Sequence, residues 1–134
     1  MDKRRTQFNR KWVSVFAPDV SQKDIQDYVL APSCYIWHVF SYEMLPAGSY
    51  LEGDEARRAF DNENKEKARY LEYFEEGGLH RLAPGTTAAS LDELAEVYVV
   101  GPGFEWTYIK THEDDWCGPY FMKRLAKDND REAQ

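Results

Sequence analysis

Apolar residues recur at helical spacing near the start of the chain. Phe8, Trp12 and Phe16 lie four residues apart, with basic residues between them. That spacing places the three rings on one side of a helix, which we predict over about residues 3–15. Pro18 is expected to end this helix, because the residue before a proline resists the α-helical conformation.

A helix-capping pattern follows the first helix. Ser21 is followed three residues later by Asp24, an arrangement in which the serine side chain caps the first turn of a helix. Ile25, Tyr28 and Val29 then supply a short apolar face. The pattern predicts a second, short helix.

The most apolar segment of the chain is residues 34–41, Cys-Tyr-Ile-Trp-His-Val-Phe-Ser. It is short, rich in β-branched and aromatic residues, and bounded by Pro32 and by the turn-forming residues 46–48. These features favour a strand, and the lack of alternation indicates burial on both faces. We therefore predict a central strand here.

A longer helical pattern covers residues 54–76. Gly77 and Gly78 favour a stop at its end, because glycine accepts the left-handed conformation found just past helix ends. The polar residues 61–64 interrupt the pattern and would split the helix in two if they form a turn. Its predicted inner stripe is Ala56, Phe60, Ala68, Leu71 and Phe74.

A β-hairpin is the clearest signal in the second half of the chain. Residues 97–100 and 104–111 are rich in β-branched and aromatic side chains, and the turn-forming residues 101–103, Gly-Pro-Gly, separate them. Two strands joined by such a turn are typical of an antiparallel hairpin.

A short helix is predicted on each side of the hairpin. Residues 79–89 are predicted as a surface loop, after which Ser90 and Glu93 form a capping pattern. Pro119 suits the first turn of a closing helix that runs to about Lys127.

The order of these elements favours an α+β fold: a small antiparallel sheet of about three strands, including the C-terminal hairpin, with helices packed mainly on one face. The length of 134 residues fits a single domain over residues 1–134. We expect an ordered core of about residues 4–127 and a frayed tail at residues 128–134. One contiguous core is expected from Trp12, Ile36, Phe60, Leu71, Phe74, Val99 and Ile109.

Charge is unevenly distributed along the chain. The net charge is −7, but residues 1–13 carry +4, and residues 14–122 hold eight basic and 20 acidic residues, a net charge of −12. An acidic body repels phosphate backbones, so nucleic-acid binding is disfavoured. The same field attracts a basic protein partner, although acidic surfaces also serve solubility alone.

No window of the sequence approaches the roughly 18 apolar residues that a membrane helix requires, so we expect no membrane association. The basic residues 1–5 are followed by polar residues rather than by an apolar run, which argues against a signal peptide. We therefore expect a cytoplasmic protein in which Cys34 and Cys117 are thiols.

The densest polar cluster consists of His112, Glu113, Asp114 and Asp115, and Trp116 follows it. The cluster leaves the end of the hairpin, where binding loops are common. One interpretation is a functional patch in which His112 acts as a general base that a carboxylate orients. The alternative is a polar strand exit whose carboxylates stabilise the start of the closing helix.

Residue types that bind zinc are present in Cys34, His38, His112 and Cys117. Their spacing matches no metal-binding motif. His38 lies in the most apolar segment, where we expect a neutral imidazole bonded to the backbone. No serine or cysteine has the sequence context of a catalytic nucleophile, and we predict neither a metal nor a cofactor.

Four groups of residues carry a family resemblance: Trp37–Ser41, Leu51–Ala56 with Ala59 and Phe60, Trp106–Tyr108 with Thr111–Glu113, and Gly118–Phe121. Together they resemble a family of small proteins from Bacillus-like bacteria, a domain of unknown function. The resemblance spans about residues 10–123. It implies a bacterial cytosolic origin and no established activity, and it supplies no catalytic residues.

Three functions stay open on the sequence. The acidic body and small size favour a binding or inhibitory module, such as an immunity protein that neutralises a basic toxin. The second is an enzyme that uses His112 and neighbouring carboxylates on a small molecule. The third is a non-catalytic structural or oligomeric accessory protein, and the oligomeric state is open too. A broad exposed acidic face would favour the first, and His112 in a cleft the second.

Overall fold

Three helices precede the first strand in the computed structural model, which describes residues 3–75, 78–113 and 116–124. The α-helices of the described residues are α1 Lys3–Phe16, α2 Gln22–Tyr28, α3 His38–Ser41, α4 Asp54–Asn62 and α5 Ala88–Leu91. Their strands are β1 Leu51–Glu52, β2 Arg69–Glu72, β3 His80–Arg81, β4 Val97–Val100, β5 Trp106–Lys110 and β6 Tyr120–Lys123.

The first two helices confirm the predictions made from local signals. α1 buries the predicted ring stripe of Phe8, Trp12 and Phe16. α2 begins after Ser21, whose hydroxyl accepts a hydrogen bond from the backbone N–H of Asp24 at 3.1 Å. This bond satisfies one of the amide groups that a helix start leaves without a partner.

The predicted hairpin is also confirmed. β4 and β5 pair antiparallel, with Val97 opposite Lys110 and Val100 opposite Thr107. A 3₁₀ turn over Pro102–Phe104 joins the two strands. All residues of both strands are buried, so that both faces of the sheet are covered at this position.

The sheet has six antiparallel strands in the order β1-β6-β5-β4-β2-β3, twice the predicted number. β2 lies inside the predicted helix 54–76, and β6 replaces the predicted closing helix after Pro119. Leu71 is buried in β2, a position that fits a helical stripe and an alternating strand equally well. Pairing with β3 on one side and with the distant β4 on the other selects the strand.

The central strand predicted over residues 34–41 is wrong. His38–Ser41 is the short helix α3, and the preceding residues form a turn. Ile36, Val39 and Phe40 are nevertheless buried. Burial was therefore predicted correctly and conformation was not, because a short apolar run has the same pattern in a buried strand and in a buried helix.

Helices cover both faces of the sheet, not mainly one. Alternation along β4 directs Tyr98 and Val100 into the core beneath α1, α2 and α3, and Val97 and Val99 into the core beneath α4 and α5. The predicted single core is therefore two. Trp12, Ile36, Leu71 and Ile109 belong to the first core, Phe60 and Val99 belong to the second, and Phe74 is exposed.

Two smaller predictions also change. The cap of α5 is Thr87, which forms a reciprocal capping box with Ser90, so that this helix begins earlier than the predicted pair Ser90 and Glu93 implies. The predicted loop 79–89 contains β3.

No helix of the described residues is long and apolar enough to cross a membrane. The predicted tail 128–134 lies outside the described residues.

Candidate functional site

Strands β2 and β5 end, and strand β4 begins, at the same end of the sheet. The register of the sheet places Glu72 of β2 opposite Val97 of β4, and Val97 opposite Lys110 of β5. The residues just beyond these positions therefore meet, although they are distant in sequence. The structure brings together Phe74, Glu96 and His112 in this way.

Glu96 and His112 form a tightly bonded pair here. Oε1 of Glu96 lies 2.6 Å from Nδ1 of His112 and accepts a second hydrogen bond, of 3.0 Å, from the backbone N–H of the same residue. An ionised Glu96 could only accept hydrogen bonds, which requires a proton on Nδ1 of His112. In the neutral form of that tautomer Nε2 is an acceptor, and in the imidazolium it is a donor.

A third donor completes the surroundings of Glu96. The Tyr98 hydroxyl donates to Oε2 of Glu96 at 2.5 Å. The two residues are two positions apart and so lie on the same face of the extended chain. Burial, and next the charge of Glu96, raise the pKa of Tyr98 well above its usual value. The Glu96 side chain has no exposed area, and its three charge-assisted bonds offset the desolvation that its burial requires.

Aromatic rings surround the imidazole of His112. Its ring centroid lies 4.9 Å from that of Tyr35, 5.6 Å from that of Phe74 and 6.0 Å from that of Trp37. The His112 side chain is 29% exposed. The imidazole is therefore held by a buried carboxylate, packed between rings, and still open to solvent.

These contacts continue as a row of neighbouring aromatic rings that ends at Tyr28. From His112 and Tyr35 the row passes to His38, whose ring lies 5.6 Å from Tyr35, and then to Tyr42 at 4.5 Å and Tyr28 at 6.2 Å. Nδ1 of His38 lies 2.8 Å from the backbone oxygen of Tyr28. His38 is thus a buried histidine bonded to the backbone, as predicted.

The structure describes three of the five residues in the predicted patch. Glu113 is exposed, and its backbone oxygen accepts hydrogen bonds from the N–H groups of Trp116, at 2.8 Å, and Cys117, at 2.9 Å. These two bonds anchor the backbone of Trp116, whose side chain is 89% exposed. Asp114 and Asp115 lie outside the described residues.

The helix-start explanation of this cluster is wrong, because the segment leads into strand β6 and not into a helix. The carboxylate that orients His112 was also missed. It is Glu96, 16 residues away, and not a neighbour in the cluster. The only sequence signal for Glu96 is its position directly before the apolar strand β4.

Among the described residues, the site contains few groups that could hold a metal ion or act on a substrate. In the described part of the chain, no group of three or more His, Cys, Asp or Glu side chains is placed to hold a metal ion. Cys34 and Cys117 are free and half-buried. Three cavities of about 220, 580 and 620 Å³ open on the described surface, and His112 lines none of these three. What the pair offers is an oriented imidazole on an aromatic surface.

Fold and site together define a small α+β domain with an aromatic and acidic surface at one end of its sheet. The chain belongs to the family described as Domain of unknown function (DUF4275), whose model matches residues 1–121. This match confirms the resemblance to a family of unknown function. No curated protein and no solved structure matches the chain.

Proposed function

We propose that this protein is a binding module for a basic protein partner. Its contact surface, the sheet-end surface, comprises Phe74, Glu75, His112, Glu113 and Trp116. The observation that carries the proposal is the indole of Trp116, 89% exposed on a hydrogen-bonded turn. A large aromatic side chain on a fixed backbone contributes binding area at a small cost in conformational entropy.

Few large apolar side chains of the described residues are exposed, and two of them belong to this surface. Phe74 is 54% exposed and packs against the imidazole of His112. The fixed His112 ring thus supports one anchor, and the turn at Glu113 supports the other. Aromatic anchors of this kind carry most of the binding energy in many protein interfaces.

Charge supports a basic partner. Glu75 and Glu113 are exposed beside the two anchors, within a segment, residues 14–122, that has a net charge of −12. Arg5 contributes one basic group here, through a 3.3 Å hydrogen bond to the backbone oxygen of Glu75. Acidic side chains around an apolar centre steer a basic protein toward the surface and raise the rate of association. The expected partner therefore presents an apolar pocket ringed by lysine or arginine.

The proposal is tested with a random peptide library displayed on phage and selected on the full chain. We expect enriched peptides with a positive net charge, whose binding weakens as salt is added. Trp116→Ala should weaken a selected peptide by at least about tenfold, whereas Trp116→Phe should retain most of the affinity.

Glu113 and Glu105 provide a matched pair of charge variants. Both are exposed glutamates, one beyond each end of β5. Glu113→Gln should weaken peptide binding by about two- to fivefold, and Glu105→Gln should leave it unchanged. Selection of neutral or acidic peptides, or equal effects of both variants, would rule out this surface as a site for basic partners.

A second candidate function is favoured by the Glu96–His112 pair. A carboxylate that fixes the protonated nitrogen of a histidine leaves the other nitrogen available as a general base. The test is hydrolysis of a panel of p-nitrophenyl esters. An enzyme would lose at least about 100-fold in rate in both His112→Gln and Glu96→Gln. Equal hydrolysis rates in the wild type and in both variants would reject this candidate.

A further inference from the structure

A second surface feature lies at the far end of the row of aromatic rings, away from Glu96. A groove of about 620 Å³ opens between the start of α2 and the residues after α3. Small-molecule sites have volumes of roughly 300–1,000 Å³. The lining residues used below are Asp19, Asp24, Tyr28, Tyr42, Glu43 and Met44.

Two half-exposed tyrosine rings form a corner in this groove. Tyr28 and Tyr42 are 49% and 54% exposed. Their centroids lie 6.2 Å apart and their planes meet at 83°. Two nearly perpendicular rings offer a convex group both a ring face and a ring edge, which a flat aromatic patch does not.

The rings are held in place from behind. The buried His38 stacks on Tyr42 at 4.5 Å and 22°, and its Nδ1 bonds the backbone oxygen of Tyr28 at 2.8 Å. His38 therefore supports the ring of Tyr42 directly and the backbone of Tyr28. A ligand that enters the groove meets rings that are already positioned, which lowers the entropic cost of binding.

The charges on the groove are of one sign. Asp19, Asp24 and Glu43 contribute carboxyl groups, and none of the described residues that line the groove is basic. A cation gains both from the carboxylates and from the negative face of a tyrosine ring. An anion or a neutral apolar group gains from only one of these features or from neither.

We propose that the Tyr28–Tyr42 groove binds the methylated ammonium group of a small organic cation. The thioether of Met44, a polarisable apolar group, adds contact area suited to methyl groups. Methylated ammonium groups bind aromatic corners and cages because their charge is spread over an apolar surface that is easily desolvated. The ligand class is thus that of choline and related methylated ammonium compounds that carry no carboxylate.

This site is independent of the sheet-end surface. It uses none of the residues of that surface, and it takes a small molecule rather than a protein. Variants of Trp116 should therefore bind the cation as the wild type does. Failure of either proposal leaves the other standing.

The test is a calorimetric titration of the full chain with choline at constant ionic strength, compared with 3,3-dimethyl-1-butanol. The alcohol has the same shape as choline but no charge. We expect choline to bind at least about fivefold more tightly. Tyr42→Leu should weaken choline binding by about fivefold or more, whereas Tyr42→Phe, which keeps the ring, should retain it.

Asp24 and Glu105 provide the charge control, because neither acidic residue is buried but only Asp24 lines the groove. Asp24→Asn should weaken choline binding by about two- to threefold, and Glu105→Gln should not change it. Circular dichroism establishes that each variant is folded.

Four results would overturn the proposal. The first is no measurable binding of choline, and the second is equal binding of choline and the alcohol. The third is equal binding of choline to the wild type and to Tyr42→Leu. The fourth is tighter binding of Nα-acetyl-lysine amide than of choline. The last result would assign the groove to a lysine of a protein partner.

Discussion

Glu96 accepts two hydrogen bonds from one residue, His112: one from the backbone N–H at 3.0 Å and one from Nδ1 at 2.6 Å. Both go to the same carboxylate oxygen. The ring and the backbone of His112 are thereby fixed together at the end of β5. The carboxylate is a structural anchor of the sheet end as well as the group that orients the imidazole.

Glu96→Gln should destabilise the fold. The amide places an N–H where one of three donors now points, and it removes the charge that strengthens all three bonds. We expect a loss of about 1–3 kcal/mol in the free energy of unfolding, measured by urea denaturation. Glu105→Gln is the control and should change stability by less than about 0.5 kcal/mol. Equal stability of the two variants would mean that the bonded pair does not form.

Alkaline pH should unfold the protein through its buried tyrosines. Burial and the charge of Glu96 raise the pKa of Tyr98 well above the usual value of a tyrosine, and burial raises the pKa of Tyr120 as well. The unfolded chain ionises these groups first. Their contribution is therefore fully present below about pH 10 and is lost as the pH rises toward the folded-state values.

The measurement is absorbance at the phenolate band, followed together with far-ultraviolet circular dichroism during a pH titration. Part of the phenolate signal should appear only with loss of secondary structure. Tyr98→Phe should reduce the steepness of the stability loss above about pH 10. Complete tyrosine ionisation in a folded protein would contradict this account.

Phe60→Ala should be among the most damaging substitutions. Phe60 has no exposed area, and its ring stacks on Tyr108 at 4.3 Å. The expected loss is about 3–5 kcal/mol of unfolding free energy. Phe74→Ala is the matched control, because Phe74 is exposed, and it should cost less than about 1 kcal/mol. Similar urea midpoints for the two variants would contradict the assignment of Phe60 to the second core.

Gly101→Ala should also destabilise the protein. A Cβ atom at Gly101 would lie 2.3 Å from Nε1 of Trp106. That indole is buried and packs on Phe60 and Phe121, so it has little room to move. We expect a loss of about 1–3 kcal/mol. Gly85→Ala meets no atom within 4 Å and should be neutral or slightly stabilising. A thermal denaturation series compares the two, and equal melting temperatures would refute the steric argument.

The candidate site was found in part from the sequence. His112 and Trp116 stood out because four ionisable residues in succession, followed by a tryptophan, leave the end of the hairpin and exceed what a helix start needs. Glu96, Phe74 and the groove tyrosines were not recognised as site residues. Glu96 pairs with His112 only because the register of β4 and β5 brings the two ends together, and single-sequence patterns contain no register between distant segments.

The sequence by itself determined the elements whose causes are local. α1 follows from ring spacing, α2 from the Ser21 cap, and the β4–β5 hairpin from its Gly-Pro-Gly turn. Tertiary structure alone decided that residues 38–41 are helical and that β2 and β6 join the sheet. Short apolar segments are compatible with either conformation, and the choice depends on whether a distant strand is available to satisfy their backbone hydrogen bonds.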